Sequence, residues 1–207
     1  MIMAPYVDVL TTPNALVDQL QIAARAGHCC YQSEGKTPLE AFLRRLIESG
    51  HESVLEHASI SFRMVTNRAV THQLVRHRIA SYSQESMRYC KYKNQVVFIE
   101  PPIGTFANEE VRKVWVDSCR EAAIRYQDLL EAGIRAEDAR GVLPQDTKSE
   151  IYVTMNLREF RHFLKLRTSR HAQKPIRLLA CRLHSWMKLN SFEFLIFDIE
   201  PYTKDLQ

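Results

Sequence analysis

The chain has 207 residues, of which 45% are hydrophobic and 25% charged, and a formal net charge of +4. That length supports one large domain or two small ones around a true core, and the composition is that of an ordinary globular protein. So small a positive balance favours anionic small molecules weakly and does not call for nucleic acid, and no apolar run approaches the roughly 20 residues that span a bilayer.

The opening Met1-Ile2-Met3-Ala4-Pro5 lacks the charged, apolar and cleavage regions of a signal peptide. Tyr6 to Leu10 then alternate apolar and polar residues, a short strand signal. Thr12-Pro13 opens a helix carrying Ala15, Leu16, Leu20, Ala23 and Ala24 on one face and closing at Gly27. The five cysteines include the adjacent Cys29 and Cys30 and show no C-x-x-C spacing, which points away from a disulfide framework and from zinc. A reduced, cytoplasmic protein is expected. Thr37-Pro38-Leu39-Glu40 reads as a capping box with proline at the first helical position, opening a helix through Phe42, Leu43, Leu46 and Ile47 that stops at Gly50.

His51 and His57 flank two carboxylates in H-E-S-V-L-E-H. Six residues turn a helix by roughly 600°, so the two rings do not share a face as metal ligands at H-E-x-x-H spacing do. No metal site is expected. Ile60, Phe62 and Met64 alternate with Ser59, Ser61 and Arg63, a half-buried strand. Asn67 can cap a helix through Val70, Leu74 and Val75, with Gln73 and Arg76 three apart on one side.

Gln73 to Arg88 reads Q-L-V-R-H-R-I-A-S-Y-S-Q-E-S-M-R, a run of groups suited to an anion. Arg76, His77, Arg78 and Arg88 supply positive charge, and Ser81, Ser83 and Ser86 supply hydroxyls. Gln73 and Gln84 supply amides. Arginine forks fit phosphate or carboxylate, and hydroxyls with main-chain N–H groups complete such a cradle. With neither Gly nor Pro the stretch is not a glycine-rich phosphate loop. Ile79 to Arg88 is expected as a loop carrying this cradle. Composition alone also allows a solvated arginine patch or a nonspecific nucleic-acid contact.

Gln95 to Ile99 form a further strand ended by Glu100-Pro101-Pro102, and Asn108 caps a long helix through Val111, Val114, Trp115, Ala122 and Leu129 to Gly133. A short helical piece ends in A-R-G-V-L-P, where Arg140 sits at a helix end that its charge suits. Ile151 to Met155 make a central strand. Asn156 and Glu159 repeat the cap-and-box spacing for a helix through Phe160, Phe163 and Leu164. Arg167 continues that apolar stripe, so it either snorkels at the helix end or meets a buried anion. Pro175 begins a closing helix through Leu178, Leu179, Leu183 and Trp186, and Phe192 to Phe197 is a last strand or a docked tail. No repeat, low-complexity tract or linker divides residues 1–207, read as one α+β domain.

R-H-R at Arg76–Arg78, then seven residues, then Ser86, with Ser81 between and Arg88 two beyond, resembles the signature of the flavin-dependent thymidylate synthases. Ser83-Gln84 stands where the family's commonest form has Asn-Glu, a variant the family also contains. The resemblance extends to A-R-x-V-L-P around Arg140, to N-x-R at Asn156–Arg158 with His162 four further on, and to the L-R at Arg167. R-H-A-Q at Arg170–Gln173 is also similar. It implies a small antiparallel sheet flanked by helices, a homotetramer with flavin at subunit interfaces, and reductive methylation of dUMP to dTMP. Methylenetetrahydrofolate would give the carbon, and NADPH would reduce bound FAD. The absence of G-x-G-x-x-G agrees with a flavin site assembled from several chains.

By the same resemblance Gln73, Leu74, Val75, Arg76, Gln84, Glu85, Ser86, Met87, Arg88, Arg140 and Arg167 bind dUMP. Ser53, Arg76, His77, Arg78, Gln84, Asn156, Leu157, Arg158 and His162 bind FAD. Arg167 is the implied catalytic group, stabilising negative charge at the uracil N3–O edge. Cys90, near Arg88, lacks a strong local base and is not read as a nucleophile. The basic residues are interleaved with Glu and show no aromatic–basic stacking motif, so neither nucleic acid nor membrane is an expected partner. A degenerate flavin-binding scaffold would be free to lose Ser86, Arg88, Arg140 and Arg167, and all four are present.

Overall fold

The computed structural model describes residues 1–33, 36–92 and 95–206. In chain order its elements are β1 (Ile2–Met3), β2 (Tyr6–Val9), α1 (Pro13–Tyr31), α2 (Leu39–Glu48), β3 (Ser59–Asn67), α3 (Arg68–Leu74), β4 (Ala80–Gln84), β5 (Phe98–Ile99), α4 (Glu109–Glu131), α5 (Ala136–Ala139), β6 (Lys148–Asn156), α6 (Leu157–Arg167) and α7 (Lys174–Leu189). Short 3₁₀ turns cover Glu52–His57, Arg140–Val142 and Glu193–Leu195. The expected α+β architecture is borne out: an antiparallel sheet in the order β2-β3-β6-β4, flanked by helices. No helix among the described residues is long and apolar enough to cross a membrane.

β6 alternates strictly, with Ser149, Ile151, Val153 and Met155 buried and Tyr152 and Thr154 exposed. Ile151, Val153 and Met155 pair with Met64, Phe62 and Ile60 of β3, so the apolar residues of both strands share one face. The core there is completed by Leu16, Leu20, Leu43, Leu46, Phe160, Phe163, Leu179 and Leu183 from the helices. Asn67 and Asn156, the last residues of β3 and β6, cap the helices that follow. Their side-chain oxygens accept the N–H groups of Val70 and Glu159, each at 2.9 Å. Asn108 caps α4 in the same way through Val111.

Several local expectations are corrected. α1 does not close at Gly27 but runs to Tyr31, with Gln32 in the left-handed conformation as its cap. Gly27 is instead a point of close approach, where a Cβ would lie 3.0 Å from the Phe42 ring. The box at Thr37 is not made. Pro38, not Thr37, takes the cap position, and among the described residues no side chain bonds the exposed N–H groups of α2. The stretch from Ile79 is not all loop, because Ala80–Gln84 pairs with β6 as β4. The strand expected at Gln95–Ile99 shortens to β5, which pairs in parallel with β1. Phe192–Phe197 is a docked tail with a 3₁₀ turn, not a strand.

Arg161 is the largest fully buried side chain, at 1% exposure. It ion-pairs with Glu52 and Asp198 and donates to the carbonyl of Leu195, tying α6 to the 3₁₀ turn before β3 and to the C-terminal segment. Removing Arg161 leaves the Leu195 carbonyl unmet and two partly exposed carboxylates short of a partner, a cost of about 3 kcal/mol, at the lower end for a broken buried pair. Arg161→Ala should lower the unfolding free energy by about that amount in urea titrations, whereas a loss under about 1 kcal/mol would show that the network carries no net stability.

Candidate active site

β4 decides where the cradle residues point. Ala80, Tyr82 and Gln84 lie opposite Met155, Val153 and Ile151, while Ser81 and Ser83 lie opposite the exposed Thr154 and Tyr152. A strand turns alternate residues to opposite faces, so Ser81 and Ser83 sit on the outer face, away from Gln84. The expectation of one cradle using all three serines is therefore corrected. Gln84 donates to the hydroxyls of Thr71 and Ser149, both at 2.9 Å, which fixes its amide. Tyr82 crosses under the turn after α3 and donates to the carbonyls of Leu74 and His77.

Two groups of predicted residues form. In the first, Arg167 leaves the end of α6 neither snorkelled into water nor against a buried anion. Its Nε donates to His77 Nε2 at 3.0 Å and its Nη2 to the carbonyl of Gln73 at 3.1 Å. That carbonyl belongs to the last turn of α3, where the helix dipole is negative. Gln73 in turn donates to Gln173. Burial pulls Arg167 below the ordinary arginine value, and with no carboxylate among the described residues bonded to it the guanidinium keeps donors for a ligand.

In the second, Arg88 and Arg140 both bond Glu137, and Ser86 lies beside Arg88. Arg88 Nε reaches its carboxylate at 2.7 Å, Arg135 does so at 2.9 Å, and Arg140 Nε donates to its main-chain carbonyl at 3.0 Å. Hydrogen bonding from Arg88, then the charge of Arg135, holds the Glu137 carboxyl below the usual range. Ser86 Oγ accepts the N–H of Arg88 at 3.3 Å. Two guanidinium groups on one carboxylate, with a third on the same residue's main-chain carbonyl, mark a place where an oxyanion is welcome. Glu85 is held apart by Lys148 and Tyr92. Leu74 and Met87 are buried and Val75 is exposed, so only main-chain atoms of Leu74 and Met87 are open to a ligand.

The predicted flavin residues are divided. Asn156, Arg158 and His162 line a groove of about 510 Å³ with Glu52, Glu56, Ile79, Glu159 and Lys165. Ser53 lines an adjoining cleft of about 300 Å³ with His51, and the two share Glu52 and Arg158. Cations and an amide suit a pyrophosphate, and carboxylates suit sugar hydroxyls, so the donor set fits a dinucleotide in part. Leu157 is buried in the core. Arg76 and Arg78 are exposed, while His77 is buried with both ring nitrogens occupied, one by Arg167 and the other by Glu159 at 3.1 Å.

His77, Glu159 and His162 bring possible ligand atoms within 4.8 Å of one another. The Nε2 lone pair that a metal would need is directed at Arg167, which suits a cation poorly. Sequence reading missed Thr71, Ser149, Glu137 and the partner of Glu159. The buried member of the alternating β6 pattern was the one available signal, for Ser149. Among the cysteines, burial pushes Cys119 up to about 11 and also raises Cys181, which suits neither to nucleophilic attack.

Fold and site together define an α+β protein with a guanidinium-lined anion site beside a polar groove. The family described as thymidylate synthase complementing protein matches residues 14–189. Flavin-dependent thymidylate synthases from Thermococcus onnurineus and Geobacter sulfurreducens are 43% and 42% identical over 157 and 170 residues. Those alignments cover 74% and 77% of this chain, and 64% and 73% of the relatives' lengths. A UMP/dUMP methylase from Streptomyces cacaoi, solved with 5-Br UMP, superposes with a TM-score of 0.75 at 25% identity, covering 97% of this chain and 98% of that one. The same methylase with 5-Br dUMP gives a TM-score of 0.76 at 27% identity, covering 93% and 95%. The chain belongs to the flavin-dependent thymidylate synthase family, as the resemblance implied.

Burial holds His77 and His184 below the ordinary histidine value of 6.5; Arg167 adds to the effect on His77, and the bond to the Ile199 carbonyl opposes it on His184. Each takes up a proton less readily in the fold than in an unfolded chain, where protons bind near 6.5. Their share of stability is complete above that pH and is lost as pH falls through it. The unfolding midpoint should therefore fall between about pH 7.5 and about pH 5.5. It should fall less in His184→Gln, whose amide can still donate to Ile199. Equal slopes in the two proteins would contradict the assignment.

Proposed function

We propose that this protein, as one domain over residues 1–207, converts dUMP to dTMP by reductive methylation. Methylenetetrahydrofolate is the one-carbon donor, NADPH the reductant and FAD the bound carrier. The observation that carries this reading is Arg167, a half-buried guanidinium drawn off an apolar helix stripe and aimed by His77 and the Gln73 carbonyl. A surface arginine has no reason to be held that way.

Bound flavin supplies the hydride chemistry, which the side chains here cannot. What the chain contributes is placement and charge. Ser86, Arg88 and Arg140 hold the nucleotide phosphate, which displaces the Glu137 carboxylate from Arg88. Gln73 and Gln84 offer fixed amides to the sugar and base, and the main chain from Leu74 to Arg76 and from Glu85 to Met87 frames them. Arg167 stabilises negative charge as it develops along the N3–O edge of uracil, and so raises the reactivity of the ring. Ser53, Asn156, Leu157, Arg158 and His162 form the flavin side. Arg76 and Arg78 complete it from either side of the buried His77, with some contacts coming from neighbouring subunits of a homotetramer. The exposure of Arg76 and Arg78 supports that division.

No protein nucleophile is needed. Among the described residues no base is bonded to Ser86, and its hydroxyl acts as a phosphate ligand. In anaerobic assays dTMP should form only when dUMP, methylenetetrahydrofolate and NADPH are all present with the flavin-loaded enzyme. Arg167→Ala should lower kcat about 100-fold or more with flavin content unchanged; near-normal turnover would return Arg167 to a packing role. Ser86→Ala should raise KM for dUMP about ten-fold with little change in kcat, since one hydrogen bond to a charged group is worth about 1.5 kcal/mol. Abolished turnover at saturating dUMP would overturn that assignment.

A further inference from the structure

α6 contributes two groups to one line of hydrogen bonds. Glu159 lies in its first turn and Arg167 in its last, about 12 Å apart along the axis at eight residues' separation. His77, in the turn after α3, spans the gap. Its Nδ1 is 3.1 Å from Glu159 Oε1 and its Nε2 is 3.0 Å from Arg167 Nε. The proton positions follow from chemistry. A guanidinium can only donate, so Nε2 must be the acceptor and carry no hydrogen. A neutral ring then has its proton on Nδ1, where it donates to the carboxylate. Carboxylate, imidazole and guanidinium form one directed chain with a single allowed tautomer.

The ring at the middle of this line is screened from water, and the carboxylate at the groove edge is largely so. His77 is 4% exposed and Glu159 8%. The imidazole meets the Phe163 ring edge-on at 5.1 Å and the His162 ring at 5.9 Å, and Tyr82 Oη donates to the main-chain carbonyl of His77. Glu159 is also withheld from its usual use. At the third position of a helix opened by Asn156 it could reach back to the cap as a capping box does, and it bonds His77 instead. A carboxylate this buried is costly unless compensated, and the compensation here runs through the ring to Arg167.

We infer that Glu159 is a positioning residue for Arg167, acting through the Nδ1–H tautomer of His77. This rests on the reading of Arg167 as the group that faces the substrate. Two of the guanidinium's donors are fixed by the ring and by the Gln73 carbonyl, so the remaining edge is presented in one orientation before substrate arrives. The role resembles the carboxylate behind a metal-bound or catalytic histidine, whose loss typically costs 10–100-fold. The groups facing His77 are Arg167, Glu159 and His162 from α6 and Tyr82 from β4. Tyr82 is pushed up to about 12, by burial first and then by Glu159, and stays protonated. Protonation of His77 would set an Nε2–H against the Arg167 Nε–H and release the guanidinium, so kcat should fall on the acid side.

The test has a part that needs no turnover. Nitrogen-15 NMR of histidine-labelled, flavin-loaded enzyme, with the His77 signals assigned by their loss in His77→Gln, should show a protonated Nδ1 and an unprotonated Nε2. The opposite tautomer would overturn the inference. In assays, Glu159→Gln frees the ring to take either tautomer and should lower kcat at least ten-fold, with KM for dUMP and flavin content within about two-fold. His77→Leu should lose more. His77→Gln, which keeps one acceptor and one donor at nearly the ring's spacing, should recover at least ten-fold of that loss and shed the acid limb of the pH profile. Glu159→Gln should add nothing to Arg167→Ala, because the two act on one interaction. Wild-type kcat in Glu159→Gln, or full additivity with Arg167→Ala, would overturn the proposal. Normal turnover in Arg167→Ala would instead remove the reading on which it rests, a failure that the ring tautomer, measured without turnover, separates from failure of the relay itself.

Discussion

Everything in the site depends on the pairing of β3 with β6. The two strands are nine residues each and fully paired, Ser59 with Asn156 at one end and Asn67 with Lys148 at the other. Because they run antiparallel, their last residues lie at opposite ends of the sheet. Each last residue is an asparagine that caps a helix, so α3 and α6 start from opposite ends and run toward each other over about 10 Å and 16 Å. Their final turns meet, and the Gln73 carbonyl receives Arg167 there. A one-residue slip between the strands would bury the polar face of β6, move both caps and part the two helix ends.

That convergence explains how a cation comes to sit half-buried with no counter-ion among the described residues bonded to it. Arg167 is compensated by a carbonyl at the end of a helix and, one ring away, by Glu159. A carboxylate in direct contact would neutralise the charge that an anionic ring needs. Placed behind a neutral imidazole, the same carboxylate orients the guanidinium and leaves it free to act. The second arginine group uses the other arrangement. Glu137 sits directly against Arg88 and Arg135 at the surface, where a phosphate with more charge can replace it.

What the sequence made legible was local. Asn67, Asn108 and Asn156 announce their helices because a cap is satisfied within three residues, and all three bonds form. The apolar stripes of α2, α6 and α7 announce the core for the same reason. β4 was hidden because A-S-Y-S-Q offers just two weakly apolar residues to the core face, and its partner is about 70 residues away. Gly27 looked like a helix end because composition cannot tell a stop from a close approach. Thr37 looked like a cap, but Pro38 took the position. The candidate site was legible as a set of residues through its family resemblance and not as an arrangement. Spacing gave no sign that Glu159 faces His77 across 82 positions or that Ser81 and Ser83 turn away from Gln84.

The central claim is that a flavin and a uracil nucleotide meet on this scaffold, and a visible absorption spectrum tests it most directly. The purified protein, loaded with FAD, is recorded before and after anaerobic NADPH, with and without dUMP. The account predicts a flavin band that shifts when dUMP is added and bleaches when NADPH follows. A protein that takes up no FAD, or one whose flavin band dUMP leaves unmoved at saturating concentration, would contradict it.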